Sequence, residues 1–260
     1  MNFLILIVLC VVQGLTEFLP ISSSGHLLLF SQLFGINEND LFLNLFLHLA
    51  TLVAVIFVYR KVIWKLIKKP FQPLTYKLLL STIITLIFAL VYELSNINKH
   101  VTQIYGFCFL ATAILLLMTH KFQKQSITVK ANNEISTKSA SLVGFIQGIA
   151  VLPGISRSGS TICSLILAGN NKEQSSEYSF LLSIPIIVGG FIFELIKADT
   201  SSFISSTLSW WQYLIAFAVT FIVAIISLKT TLKLLKDNKF NLFGIYLFFI
   251  SIFTIIFQFI

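Results

Sequence analysis

Long apolar runs broken by short polar gaps dominate the chain. Six of them, 41–60, 78–95, 101–119, 178–196, 210–230 and 241–260, are expected to be transmembrane helices. Each reaches the ~18–20 residues that cross about 30 Å of hydrocarbon. A β-barrel would instead show ~10-residue segments of alternating polarity, and none occur. Regions 1–35 and 140–170 behave differently. Each has an apolar arm, a break rich in Pro, Ser and Gly, and a second arm (27–33 and 161–167) too short to cross. Irregular backbone survives at membrane depth only where protein or a wet cavity surrounds it. Each region is therefore expected to be a re-entrant helix–loop–helix hairpin.

The two breaks match. The first runs Gln13-Gly14-Leu15-Thr16-Glu17-Phe18-Leu19-Pro20-Ile21-Ser22-Ser23-Ser24-Gly25-His26. The second runs Gln147-Gly148-Ile149-Ala150-Val151-Leu152-Pro153-Gly154-Ile155-Ser156-Arg157-Ser158-Gly159-Ser160-Thr161. In both, the late Gly stands twelve positions after the opening Gln, and the second break lies 134 residues after the first. Paired breaks in short apolar segments are the best sequence pointer to a midplane binding site. Each half holds one hairpin and three spans, and an odd number of crossings inverts the second half. The expected fold is an all-α polytopic membrane protein with six transmembrane helices and two re-entrant hairpins in an inverted-topology repeat. It forms a single integral membrane domain, 1–260. Repeat one is 1–122, hairpin 1–35 plus three spans; repeat two is 135–260, hairpin 140–170 plus three spans. The polar stretch 120–139 reads as a solvated connection.

Composition agrees with the pattern. Hydrophobic residues make up 57% and charged residues 11%, with a mean hydropathy of +0.92, whereas soluble domains carry about a quarter charged. The net charge of +8 raises nucleic acid as a partner, but its placement excludes that reading. Arg60, Lys61, Lys65, Lys68, Lys69 and Lys77 flank one loop; Lys121, Lys124, Lys130 and Lys138 fill a second, and Lys229, Lys233, Lys236 and Lys239 a third. Lys99 and Lys197 alone mark the alternate loops. That is the positive-inside pattern, with basic loops beside anionic lipid headgroups. Cys10, Cys108 and Cys163 lie in apolar runs without metal-like spacing and read as inert buried thiols. Segment 1–19 lacks a basic start and a small-residue cleavage site, so it is not expected to be a signal peptide.

Glu17 and Arg157 are the costly residues. Each carries about 2.5–3.5 kcal/mol of insertion penalty at mid-membrane, which facing one another would partly offset. Ser22, Ser23 and Ser24 lead into one short helix at Gly25 and His26; Ser156 and Ser158 lead into another at Gly159. Helix N-termini offer unpaired N–H groups to anions, Gly25 and Gly159 permit close backbone approach, and the Arg157 fork suits phosphate oxygens. A phosphate or diphosphate pocket between the tips is the expected site. His26 is the natural acid–base residue, with Glu17 orienting it or activating a nucleophile. Ser23 is the first candidate nucleophile, with direct attack by His26 or by water as alternatives. His100 and His120 read as satisfied structural residues. For His48 a helix-to-helix hydrogen bond is preferred to a site role. Gln13 lies one turn before Glu17 on the same face; as an amide it weakens a divalent-metal reading, because hard cations prefer carboxylates.

These residues resemble the bacitracin-resistance family of undecaprenyl-diphosphate phosphatases. The family's first motif, (Glu/Gln)-x-x-x-Glu then Pro-x-Ser-Ser-x-Gly-His, matches Gln13, Glu17 and residues 20–26. Its second, Pro-Gly-x-Ser-Arg-Ser-x-x-Thr, matches 153–161, and Tyr178-Ser179-Phe180-Leu181-Leu182-Ser183-Ile184-Pro185 resembles the following span. The resemblance implies removal of the terminal phosphate of a C55 isoprenoid diphosphate, at a site opening to the extracytoplasmic side of the bacterial plasma membrane. That recycles the monophosphate carrier for peptidoglycan synthesis and confers bacitracin tolerance. It implies catalytic roles for Glu17, His26, Ser23, Ser156 and Arg157. The binding set is Gln13, Ser22, Ser24, Gly25, Ser158, Gly159 and Thr161. Partners are a polyprenyl diphosphate and membrane lipids, with a homodimer as candidate assembly. Many members carry glutamate at position 13 and threonine at 24, so a divalent cation (Mg or Ca) held by Glu17 stays open.

Two rival readings compete with this one. Another membrane lipid-phosphatase superfamily uses Ser-Gly-His and Ser-Arg with a downstream His, but no histidine follows His120. A lipid-phosphate or anion transporter, or a flippase, would use the same midplane site; the His–Glu–Ser grouping favours hydrolysis, since translocation needs no acid–base pair.

Overall fold

A computed structural model describes residues 2–35, 41–95, 101–125, 134–197 and 208–259. Among these residues it forms ten helices and no strand: α1 Phe3–Thr16, α2 Ser23–Phe34, α3 Leu41–Lys68, α4 Pro73–Leu94, α5 Val101–Gln125, α6 Thr137–Ile149, α7 Arg157–Leu167, α8 Lys172–Lys197, α9 Trp210–Lys236 and α10 Asn241–Phe259. The positions of Lys99, His100 and Lys130 lie outside the described residues, as does the middle of the polar connection.

Six helices (α3, α4, α5, α8, α9 and α10) are long and apolar enough to cross a membrane, and they coincide with the six apolar runs. α3 runs past its expected end near residue 60 to Lys68. Val62, Ile63 and Leu66 on that extension pack against the central core, so apolar burial carries the helix through the basic cluster; the turn at Tyr59 is kinked. The remaining four helices hold 14, 12, 13 and 11 residues. At 1.5 Å per residue each covers only about 17–21 Å. Side-chain caps start them: Asn2 accepts from the Leu4 N–H, and Ser22, Ser136 and Ser156 do the same for α2, α6 and α7. Pro20 and Pro153 sit in the intervening breaks, where a missing N–H costs no helix hydrogen bond.

Each short first arm packs on a helix of the other half: α1 on α9 and α6 on α4. Glycine makes both approaches possible. A Cβ at Gly14 would meet Thr220 O and Val223 at 2.9 Å, and one at Gly148 would meet the Phe88 side chain at 2.5 Å. α3 packs on α8 and α5 on α10. The fully buried rings of Phe18, Tyr105, Phe109 and Phe180 join one core cluster at the centre. The three cysteines are free and buried, as expected. His120 differs from its expected satisfied state: its Nδ1 is buried without a hydrogen-bond partner.

Candidate active site

The two breaks interlock. Ser22, cap of α2, adopts φ +70°, a conformation costly for a residue with a Cβ. Its Oγ accepts the N–H of Gly25 (3.4 Å) and, across the interface, the N–H of Gly154 (3.2 Å). Ser158 Oγ returns a bond to Leu19 O at 3.1 Å. Gly154 itself sits at φ +92°, which a side chain would oppose. A Cβ at Gly25 would come within 2.8 Å of Gly154 Cα, so a bare backbone here lets the breaks touch.

Beside this junction lies a cavity of about 620 Å³. Its polar wall carries Glu17, Ser22, Ser23, Ser24, Ser156 and Arg157, with Thr85, Gln147 and His48; its apolar wall includes Leu27, Leu28, Leu45, Ile186, Ile187 and Phe191. Glu17 is only 4% exposed and fully engaged. Oε1 pairs with Arg157 Nη2, while Oε2 accepts from Ser23 Oγ at 2.6 Å and Gln13 Nε2 at 3.0 Å. The second terminal guanidinium nitrogen, Arg157 Nη1, is buried with no partner. An unpaired buried cationic donor is expensive. The serine caps take the third N–H of α2 and α7. The first two of each helix, those of Ser23, Ser24, Arg157 and Ser158, have no intrahelical acceptor.

Six of the expected site residues thus share one wall, and six do not. Gln13, Gly25, His26, Ser158, Gly159 and Thr161 are absent from the cavity lining. Both glycines are closely packed by protein: a Cβ at Gly25 would meet the Phe109 ring at 2.6 Å as well as Gly154, and one at Gly159 would meet Pro20 Cβ at 3.1 Å. Thr161 Oγ1 donates to Arg157 O at 2.8 Å and meets Ser179 Oγ at 2.6 Å, tying α7 to α8. His26 is 2% exposed and both ring nitrogens are occupied. Nδ1 bonds Ser22 O at 2.7 Å, Nε2 bonds Tyr246 Oη at 2.9 Å, and the ring stacks on Tyr246. The imidazole on the cavity wall is His48 instead. Its Nδ1 does make a hydrogen bond to another helix, reaching Gln13 Nε2 at 3.1 Å, and the ring also faces the site.

Sequence reasoning missed Asn44, Thr85, Tyr92, Gln147 and Glu194, which also lie on the wall. Asn44 and His48 stand four apart in an apolar run, a same-face signal available in the sequence. Gln147, which opens the second break, donates from Nε2 to Thr85 Oγ1 at 3.0 Å and leaves its Oε1 buried without a partner.

The wall offers few ready ligands to a divalent cation. Hard cations take six or more oxygens; here both oxygens of Glu17 are taken, Glu194 is the other carboxylate on the wall, and position 13 is an amide. Among the described residues no three His, Cys, Asp or Glu side chains cluster as a metal site.

Six helices long and apolar enough to cross a membrane, around a serine-lined cavity that holds an Arg–Glu ion pair, define a multi-pass membrane protein. The family described as "Bacitracin resistance protein BacA" matches residues 6–253, and the chain belongs to it. It is similar to the undecaprenyl-diphosphatase of Halothermothrix orenii (36% identity over 96% of each chain). Two further undecaprenyl-diphosphatases, from Thermosipho melanesiensis and Thermosipho africanus, are 38% and 39% identical, covering 96% and 95% of this chain and 97% and 96% of their own.

Proposed function

We propose that the protein hydrolyses undecaprenyl diphosphate to undecaprenyl phosphate and inorganic phosphate, and that the cavity beside the two breaks is where it does so. The observation that carries this reading is the ion pair of Arg157 with Glu17, both on the cavity wall that bears Ser23. The terminal phosphate meets the exposed part of the Arg157 guanidinium and the open N–H groups of the α2 and α7 first turns. The isoprenoid lies along the apolar wall. Ser23 Oγ, already donating to Glu17 Oε2, is the nucleophile. The Oγ–P bond forms, the bridging P–O bond breaks, and its electron pair leaves with the lipid monophosphate. The serine proton passes to Glu17 Oε2, and Arg157 stabilises the charge on the transferring group. Water then cleaves the phosphoserine in the reverse sense. Ser156 caps α7 and so fixes the Arg157 backbone; His26 acts by holding Ser22 O and hence the start of α2. No step is routed through a metal ion.

The membrane arrangement belongs to the same reading. Residues 1–35 and 140–170 are re-entrant hairpins of two inverted repeats, 1–122 and 135–260. The exchange of partners, α1 on α9 and α6 on α4, supports it. The site opens to the extracytoplasmic face of a bacterial plasma membrane, which the basic loops favour through the positive-inside rule. The Ser23–Glu17 hydrogen bond favours hydrolysis over transport, which needs no activated hydroxyl.

Phosphate release from a long-chain isoprenoid diphosphate by the purified protein, with and without chelator, tests the proposal. Turnover is expected in both conditions and is expected to vanish in Arg157→Ala. A wild-type protein that binds the lipid without releasing phosphate sinks it.

A further inference from the structure

The orientation of one buried amide fixes what His48 can do. Gln13 is 0% exposed, and its atom 3.0 Å from Glu17 Oε2 has to be the nitrogen. A carboxylate ion-paired with arginine offers only acceptors, so an oxygen placed there would meet lone pair with lone pair. The same nitrogen lies 3.1 Å from His48 Nδ1. An NH2 group brings two protons and no acceptor; one goes to Glu17 and the other to His48. His48 Nδ1 therefore accepts, and the ring proton rests on Nε2. That Nε2 has no protein partner among the described residues, and the imidazole is 37% exposed on the cavity wall.

We infer that His48 is a substrate-binding residue, presenting its Nε2–H to an oxygen of the diphosphate, in a tautomer imposed by the chain Arg157–Glu17–Gln13. The inference deepens the hydrolase reading and rests on it for the identity of the ligand. Gln13, which does not reach the cavity, becomes a positioning residue that orients His48 from behind. The two histidines then have separate roles. His26, with both nitrogens occupied, is a structural clamp on α2; His48, with one nitrogen free, meets the ligand.

The test uses full-length protein in detergent, with inorganic pyrophosphate as binding probe and phosphate release from an isoprenoid diphosphate as the activity. In His48→Leu, pyrophosphate binding weakens and KM rises, each about tenfold, as for loss of one hydrogen bond to a charged oxygen, while kcat changes less. His48→Gln, whose amide N–H can replace the donor, recovers most of both. In wild-type protein, nitrogen NMR of labelled histidine finds the His48 proton on Nε2. The inference is overturned if His48→Leu binds pyrophosphate and turns over as wild type does, or if the proton is on Nδ1. The NMR result stands even where a variant fails to fold. Wild-type protein that binds pyrophosphate yet releases no phosphate refutes the hydrolase reading alone.

Discussion

Removing Arg157 should destabilise the protein as well as silence it, and the two effects can be separated. In Arg157→Ala the Glu17 carboxylate, 4% exposed, loses its cationic partner and keeps only the Ser23 and Gln13 hydrogen bonds. Deleting one member of a buried ion pair costs about 3–5 kcal/mol. The Arg157 side chain is 18% exposed, so water reaches the vacated end and the lower figure, about 3 kcal/mol, is expected. For a chain of this size each kcal/mol shifts the midpoint by roughly 2–4 °C, giving a fall of about 6–12 °C. Adding Glu17→Gln removes the stranded charge. The double variant should regain on the order of 2 kcal/mol relative to Arg157→Ala, within the usual range of coupling between contacting residues. Activity does not return, because the cation that meets the substrate is gone. Melting of detergent-purified proteins at one fixed scan rate, beside phosphate release, reads both. Arg157→Ala melting with wild type, or a double variant no more stable than the single, would refute the buried-pair account.

Three further outcomes follow from the same geometry. Ser23→Ala removes the nucleophile while leaving the Arg157–Glu17 pair intact, so phosphate release falls by at least about a hundredfold with a melting point within a few degrees of wild type; retained turnover assigns the attack elsewhere. Gln13→Glu places a second carboxylate one turn from Glu17, the ligand type hard cations take. Magnesium or calcium should then raise its melting point, with little effect on wild type, in a thermal-shift titration. Gly154→Ala forces a Cβ to 2.4 Å from Tyr105 O at φ +92°; a loss of more than about 1–2 kcal/mol is expected, read as lower yield and earlier melting.

Much of the fold was legible because hydrocarbon imposes a coarse code. A run that spans must be long and apolar, and all six runs so read became long helices. The breaks were legible because their composition is foreign to such runs; Glu17 and Arg157 stood out through the cost of placing them there, and Ser23 and Ser156 through the serine clusters that lead into the short helices. What failed to show was direction. Gly25 and Gly159 carry the signature of close approach, but sequence does not say to what, and the answer is the opposite break and, for Gly25, the Phe109 ring as well. His26 and His48 are alike in one dimension: each is a lone imidazole in an apolar helix. Only packing reveals that Tyr246, 220 positions away, occupies the first, while Gln13 orients the second. Gln147 and Thr85 meet across 62 positions, and no local pattern couples them.

The central claim is that residues from the two halves close on one diphosphate. A structure of the protein with a non-hydrolysable, methylene-bridged isoprenoid bisphosphonate tests it most directly. The account predicts the terminal phosphorus group within hydrogen-bond distance of the Arg157 guanidinium and in line with Ser23 Oγ, with the prenyl chain against Leu27 and Ile187. A headgroup seated away from both side chains would contradict it.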